Sequence, residues 1–283
     1  MSFLHCLLLA LLPVLPFTLP PDDDLSKQHA TPTLVREHAD LIPGKVNYIA
    51  VHFQIEKKWH LYWDGLNDTG FAPEIKLTLP EGFESKPILW PAPKRHVGEG
   101  DILDHIYEDM VTLIIPVNVP ADAKPGSHVE FSAECRWLVC DRICVPEERT
   151  VNMSAAIGRP DDKPKPTEDA KFFTAARLLL PKVWPKEGPV TATWEGRNLI
   201  LRSPKAMRIE FMPGKDCPVP QALSREGEVV GDALRLKFGG IKTARDSAKL
   251  VDGIVAITRP NPVAGKSPIS EYYHLQIPPP SKD

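Results

Sequence analysis

The stretch HVEFSAECRWLVCDRICVPEERTVNMSAAI, His128 to Ile157, decides the fold class. Its first part alternates, with Val129, Phe131, Ala133, Cys135, Trp137 and Val139 on one parity and mostly polar residues on the other. Period two marks a half-buried strand, because successive strand side chains leave opposite faces. Asp141, Arg142 and Ile143 make a short connection. Pro146 begins a return strand that continues through RTVNMSAAI, Arg149 to Ile157. The whole reads as a hairpin with a short turn.

The same period recurs outward from this hairpin. In KVNYIAVHFQI, from Lys45, the residues Ile49, Val51, Phe53 and Ile55 share a face; Ile75, Leu77 and Leu79 repeat this in EIKLTL. MVTLIIPVNV, Met110 to Val119, is a further strand, and the turn signals DGLNDTG, LPEGF and ADAKPG separate the runs. Short alternating strands at this spacing predict an all-β, antiparallel sandwich. The 31 prolines among 283 residues agree, since no long helix survives such a density. No glycine-rich phosphate loop opens a helix, so nucleotide-binding α/β folds have no support. A net charge of −3 lacks the basic footprint of a nucleic-acid binder, so no nucleic-acid partner is expected.

GRPDDKPKPTED, Gly158 to Asp169, reads as a proline-stiffened linker. It precedes AKFFTAARLLL, the one convincing helix, in which Phe172, Ala176 and Leu179 lie at helical spacing with Phe173 and Leu180 beside them; Pro181 stops it. Strands VTATWE, NLILR, MRIEFM, ALRLKF, LVDGIVAI and EYYHLQI follow. The expected division is a signal-like segment at 1–20, a β-sandwich at 21–157, the linker at 158–169 and a small accessory β domain with one helix at 170–283. The first segment contains LLLALLPVLPFTL, Leu7 to Leu19, too short to span a bilayer and suited to a secretory h-region. Export, and no stable membrane span after processing, are the expectation. An exported chain meets an oxidising environment in which cysteine pairs persist as disulfides.

Five cysteines are distributed unequally. Cys6 lies in the signal-like segment and Cys217 sits alone in the turn PGKDCPVP. Strand parity sends Cys135 to the core face. Cys140 has the opposite parity, and four residues of separation across a turn allow it to pair with Cys144. A bridge closing so small a loop removes less unfolded-state entropy than a long-range one, which favours redox use over stapling. A tight structural clip is the competing reading. A third is a Cys₃His site for zinc or copper built on Cys135, Cys140 and Cys144. Arg142 would favour a thiolate in the hairpin and Asp141 would oppose it.

Other chemistry-bearing residues are weaker. Trp59, Tyr62 and Trp63 read as core and corner packing rather than a peptide-binding face. His52, His60, His96 and His105 show no ligand spacing, although His105 could act as a base on a thiol. Glu147 and Glu148 read as a solvated charge pair, the alternative being carboxylates that move protons during exchange.

WLVCDRICVPEE, Trp137 to Glu148, resembles the cysteine hairpin of the amino-terminal periplasmic domain of DsbD and its ScsB-type relatives, the thiol–disulfide interchange proteins. WHLYWDGLNDTGFAPEIKLTLPEGF, Trp59 to Phe83, is similar to that family's aromatic strand, glycine turn and following strand. ILWPAPKR and HIYEDMVTLIIPV resemble its next segments, and FFTAARLLLP with Trp184 and Pro185 resembles the accessory β domain of ScsB-type proteins. The resemblance implies an immunoglobulin-like sandwich, no cofactor and a periplasmic site of action. It implies a thioredoxin-like or membrane electron donor, and oxidised thiol proteins as clients. Cys144 would form mixed disulfides and Cys140 would resolve them, as in a protein-disulfide reductase type of carrier. A cap loop at about Val97 to His105 would shield the pair, with Ile102, Leu103 and Tyr107 as partner contacts. The membrane channel and thioredoxin-like domain of the larger family members have no counterpart in this sequence. A non-catalytic binding or structural sandwich is the alternative.

Overall fold

A computed structural model describes residues 27–188, 190–239 and 250–280. The signal-like segment and Cys6 lie outside the described residues. The first half contributes β1 (Ala30–Arg36), β2 (Asp40–Leu41), β3 (Val46–Ile55), β4 (His60–Tyr62), β5 (Glu74–Thr78) and β6 (Glu84–Ser85). It continues with β7 (Lys94–Val97), β8 (Leu103–Glu108), β9 (Met110–Asn118), β10 (His128–Cys140) and β11 (Cys144–Ile157). One sheet has the order β1-β3-β9-β6; the facing sheet runs β2-β11-β10-β4-β8-β7, with β5 also on β10. This is the all-β sandwich that the alternation predicts.

Parity fills the space between the sheets. Ile49, Val51, Phe53 and Ile55 from β3 meet Phe131, Ala133, Cys135, Trp137 and Val139 from β10 in one buried cluster. Phe53 packs against Trp137 at 5.2 Å between ring centroids, edge to face. Helix α1 (Ala170–Leu179) covers the other face of the four-stranded sheet. Phe173 and Ala176 bury against Val35, Ala50 and Ile114, Phe172 stacks on His52, and Arg177 pairs with Glu37. A sheet covered on both faces has apolar residues of both parities, which is why β3 and β9 read as nearly continuous hydrophobic runs.

The sequence division at residue 170 groups this helix with the second half, whereas its packing is with the first. The proline-rich segment before it is also fastened: the Ala39 amide donates to Lys165 O at 2.8 Å and the Thr167 amide to Glu37 O at 2.9 Å.

The second half holds β12 (Lys182–Val183), β13 (Thr191–Glu195), β14 (Asn198–Arg202), β15 (Arg208–Pro213), helix α2 (Leu223–Glu226), β16 (Glu228–Val230), β17 (Ala233–Lys237), β18 (Val251–Arg259) and β19 (Ile269–Ile277). They form a five-stranded sheet, β12-β19-β18-β15-β16, and a three-stranded sheet, β13-β14-β17. Leu199, Leu201, Phe211, Leu236 and Val255 are in their core. The halves interlock: Met212, Ile254 and Ala256 bury in the first core, and Leu103 in the second.

Among the polar residues buried in the first half, Glu147 adjoins the core through Trp137. Glu147 is not the solvated carboxylate that its sequence suggests; it is 9% exposed. Its carboxylate accepts from the His29 amide (2.6 Å), the Ala30 amide (3.2 Å) and Trp137 Nε1 (2.9 Å). It thereby ties the start of β1 to the hairpin. Glu148 is exposed and lies 3.3 Å from Arg136 Nε. A buried donor left without a partner costs about 1–3 kcal/mol. Glu147→Ala should therefore lower unfolding free energy by about 3 kcal/mol in urea titrations, with Glu148→Ala near neutral.

Candidate functional site

Strands β10 and β11 pair without interruption from His128↔Ala156 to Cys140↔Cys144. An unbroken register places the last two cysteines directly opposite, and they form a disulfide with Cα atoms 4.2 Å apart. Asp141 to Ile143 make the exposed turn, closed by the Asp141 amide on Ile143 O. The two residues differ in access: Cys140 is buried beside Tyr62, Ile106 and Leu138, and Cys144 is exposed. This small cluster lies on the face of the seven-stranded sheet away from the main core, as the opposite parity of Cys140 requires.

Cys135 points into that core as a free thiol, 1% exposed. Burial pushes its pKa up to about 12. Cys217 is likewise a free, buried thiol, pushed up to about 12 chiefly by burial. With Cys135 facing the core and the other two bonded to each other, the sequence's Cys₃His set is not assembled. Among the described residues no group of three or more His, Cys, Asp or Glu is placed to hold a metal.

Strand β4 supplies the next neighbours. His60 is paired with Cys140, and Tyr62 is 1% exposed with its Oη 3.8 Å from Cys144 Sγ. The aromatic triplet is thus divided by parity: Trp59 and Trp63 are in the main core, and Tyr62 belongs to the disulfide. Burial raises the Tyr62 pKa, and burial followed by the nearby His96 lowers that of His60. His60 Nε2 lies 3.3 Å from Tyr62 Oη.

The tyrosine hydroxyl continues into a chain that the sequence reading missed. Tyr62 Oη is 3.2 Å from Thr69 Oγ1, and Thr69 Oγ1 donates to Asp104 Oδ2 at 2.6 Å. Asp104 is 4% exposed, and its Oδ1 accepts the amides of Asp68 and Thr69, both at 3.0 Å. DGLNDTG is therefore more than a turn. Asn67 accepts the His105 amide (2.8 Å), and Asp68 accepts that of Leu103 (2.7 Å). Together they bind the loop along β8. Gly70 is required for this approach, because a Cβ there would sit 2.3 Å from the Tyr62 ring.

The proposed cap residues are dispersed. Ile102 is 40% exposed, Leu103 is buried in the second core, and Tyr107 is buried with its hydroxyl donating to Pro91 O at 2.5 Å. Asp101 of the same turn pairs with Arg225 of the second half. Leu103 and Tyr107 thus face inward in this structure and offer no surface to a partner. His105 is fully buried and bonds through Nδ1 to Leu66 O at 2.6 Å; its Nε2 has no partner. It is a neutral core histidine that fixes the loop, and burial pushes its pKa down to about 4.

Residues 31–155 match the family model described as thiol:disulfide interchange protein DsbD, N-terminal. The crystal structure of the N-terminal periplasmic domain of ScsB from Proteus mirabilis aligns over 93% of this chain and 97% of that one, with 17% identity and a TM-score of 0.55. That likeness is one of fold. The YadV chaperone aligns over 86% of this chain and 99% of that one at 11% identity, and its TM-score of 0.23 carries no argument. No curated protein matches the sequence.

The buried histidine sets a pH dependence. Its pKa is depressed from 6.5 to about 4 in the folded chain. Between those values the unfolded chain holds a proton that the folded chain lacks, so stability from this group is full above pH 6.5 and falls as pH drops towards 4. The loss should be about 3 kcal/mol. Denaturation of wild type and His105→Gln at pH 7 and pH 4 checks this, because the variant should lack that part of the slope.

Proposed function

We propose that the chain, whose residues 31–155 match the DsbD N-terminal family model, is an extracytoplasmic thiol–disulfide exchange module acting through Cys140 and Cys144. The observation that carries this reading is the asymmetric disulfide at the hairpin tip, between an exposed residue, Cys144, and a buried one, Cys140. Below it the β10–β11 ladder continues through twelve further residue pairs. The bond can therefore open while the sandwich stays folded.

The exchange balances without a cofactor. A thiolate of a thioredoxin-like or membrane-bound donor attacks Cys144 Sγ, forming a mixed disulfide and releasing Cys140 as the leaving thiolate, which takes a proton. The donor's second thiol displaces Cys144, leaving the donor oxidised and the pair reduced. Cys144 then attacks an oxidised client protein, and a client thiolate leaves. Cys140 attacks Cys144 of that mixed disulfide, restoring the Cys140–Cys144 bond and releasing the client as a dithiol. The two electrons pass from donor to client. Cys144 meets partners because it is exposed, and Cys140 resolves because its buried sulfur is held beside it. The periplasm named for the ScsB domain is the compartment that suits this role. A structural clip is the competing reading.

Cys140→Ser in the native compartment should accumulate mixed disulfides through Cys144, visible on non-reducing gels and identified by mass spectrometry. Cys144→Ser should accumulate far fewer, because the remaining thiol is buried. Absence of adducts in both would defeat the exchange reading. Reduction of the wild-type pair should cost no more than about 2 kcal/mol of stability, given the small loop it closes, and should leave the far-ultraviolet circular dichroism unchanged.

A further inference from the structure

The hydroxyl chain beside Cys144 has a direction. A carboxylate only accepts hydrogen bonds, so the proton between Thr69 Oγ1 and Asp104 Oδ2, 2.6 Å apart, is the threonine's. Thr69 has no second proton. The 3.2 Å contact between Tyr62 Oη and Thr69 Oγ1 must then use the tyrosine's proton. What remains on Tyr62 Oη are lone pairs. The other neighbours of that oxygen are His60 Nε2 at 3.3 Å and the disulfide sulfur of Cys144 at 3.8 Å.

We infer that Asp104, acting through Thr69 and Tyr62, is a positioning residue that presents an oxygen lone pair, not a proton, to the Cys144 sulfur, and so holds the reduced site in its thiol form at neutral pH. A thiol can donate to that lone pair, whereas a thiolate meets an oxygen with no proton to give. The assignment rests on the exchange reading above and adds to it the control of when Cys144 is reactive.

The charged groups around the site agree in sign. Asp104 and Glu108 on β8 and Asp141 in the hairpin turn all lie within electrostatic reach of His60, the cross-strand neighbour of Cys140. Each opposes a second negative charge. Lys94 on β7 is occupied by Glu108 at 2.8 Å. Arg142 is 88% exposed and 3.9 Å from Asp141. His60 on β4 is shifted towards its neutral form by burial and by His96 on β7. Among the described residues the tyrosine is the one acid within hydrogen-bond reach of the sulfur, and its proton is committed to Thr69.

The test measures the Cys144 thiol in the full-length Cys140→Ser chain, where that thiol is free whether or not the native pair exchanges. Iodoacetamide alkylation of the Cys144 peptide is followed against pH by mass spectrometry. Thr69→Val removes the acceptor of the tyrosine proton and lets it turn to the sulfur. The apparent pKa should fall by about one unit, giving ~tenfold more thiolate at pH 7. Thr69→Ser should behave as the parent. Adding Tyr62→Phe to Thr69→Val should reduce the fall to that of Tyr62→Phe alone. An unchanged or raised pKa in Thr69→Val, or a double variant whose pKa falls as far as that of Thr69→Val, overturns the assignment.

If Thr69→Val does not fold, Tyr62→Phe alone decides by sign. A faster alkylation rate at pH 7 supports the lone-pair geometry; an unchanged rate means that Tyr62 does not hold the thiol form and a slower one that it donates to the thiolate, and either overturns it. Failure of the exchange reading looks different: it is absence of mixed disulfides, with the pH profile of Cys144 free to come out either way.

Discussion

The register of the β10–β11 hairpin is the constraint on which the rest depends. In a two-residue period a slip of one position sends every side chain to the other face. Here the slip is excluded by the cost of expelling Phe131, Ala133, Cys135, Trp137 and Val139 from the core. The same register puts Cys140 opposite Cys144 and keeps Cys135 away from both. Three cysteines within ten residues could exchange partners; the core prevents it. Glu147 reinforces this from within, since its three hydrogen bonds are satisfied only when Trp137 and the start of β1 are in place.

Much of this was legible in the sequence because alternation is a local property. Strands, the helix, the Cys140–Cys144 pairing and the buried Cys135 follow from parity and turn length. What escaped was non-local. Glu147 looks solvated beside Glu148, and nothing in PEERT shows that two backbone amides from residues 29 and 30 arrive to neutralise it. Thr69 and Asp104 are 35 positions apart and meet only because the DGLNDTG loop folds along β8. Its density of Asn, Asp, Thr and Gly reads as a turn. The same side chains also bind backbone amides of a distant strand, which a turn would not need. Parity could have separated Tyr62 from Trp59 and Trp63, since all three lie in one short strand region.

The placement of α1 shows the limit of segmentation by composition. A proline-rich charged stretch reads as a linker, yet here its amides and carbonyls bond back to β2 and to the connection between β1 and β2, and the helix that follows completes the first sandwich. The four-stranded sheet would otherwise expose Val35, Ala50 and Ile114 to water. Covering them also makes the run from β11 to α1 part of the first folding unit.

The second half is not merely appended. Loop residue Leu66 donates its amide to Pro213 O at 3.0 Å, Lys215 lies 3.3 Å from Asp64, and Arg95 donates to the carbonyls of Leu223 and Ser224. These contacts grip the two ends of the structure that surrounds Tyr62: the loop that carries Thr69, and strand β7, which pairs with the β8 strand of Asp104. A hydroxyl chain with bonds of 2.6 and 3.2 Å tolerates little displacement of either end. The second half therefore has a physical role in the first. It holds the loop and β8 at a fixed separation, and through them it fixes which atom of Tyr62 faces the sulfur.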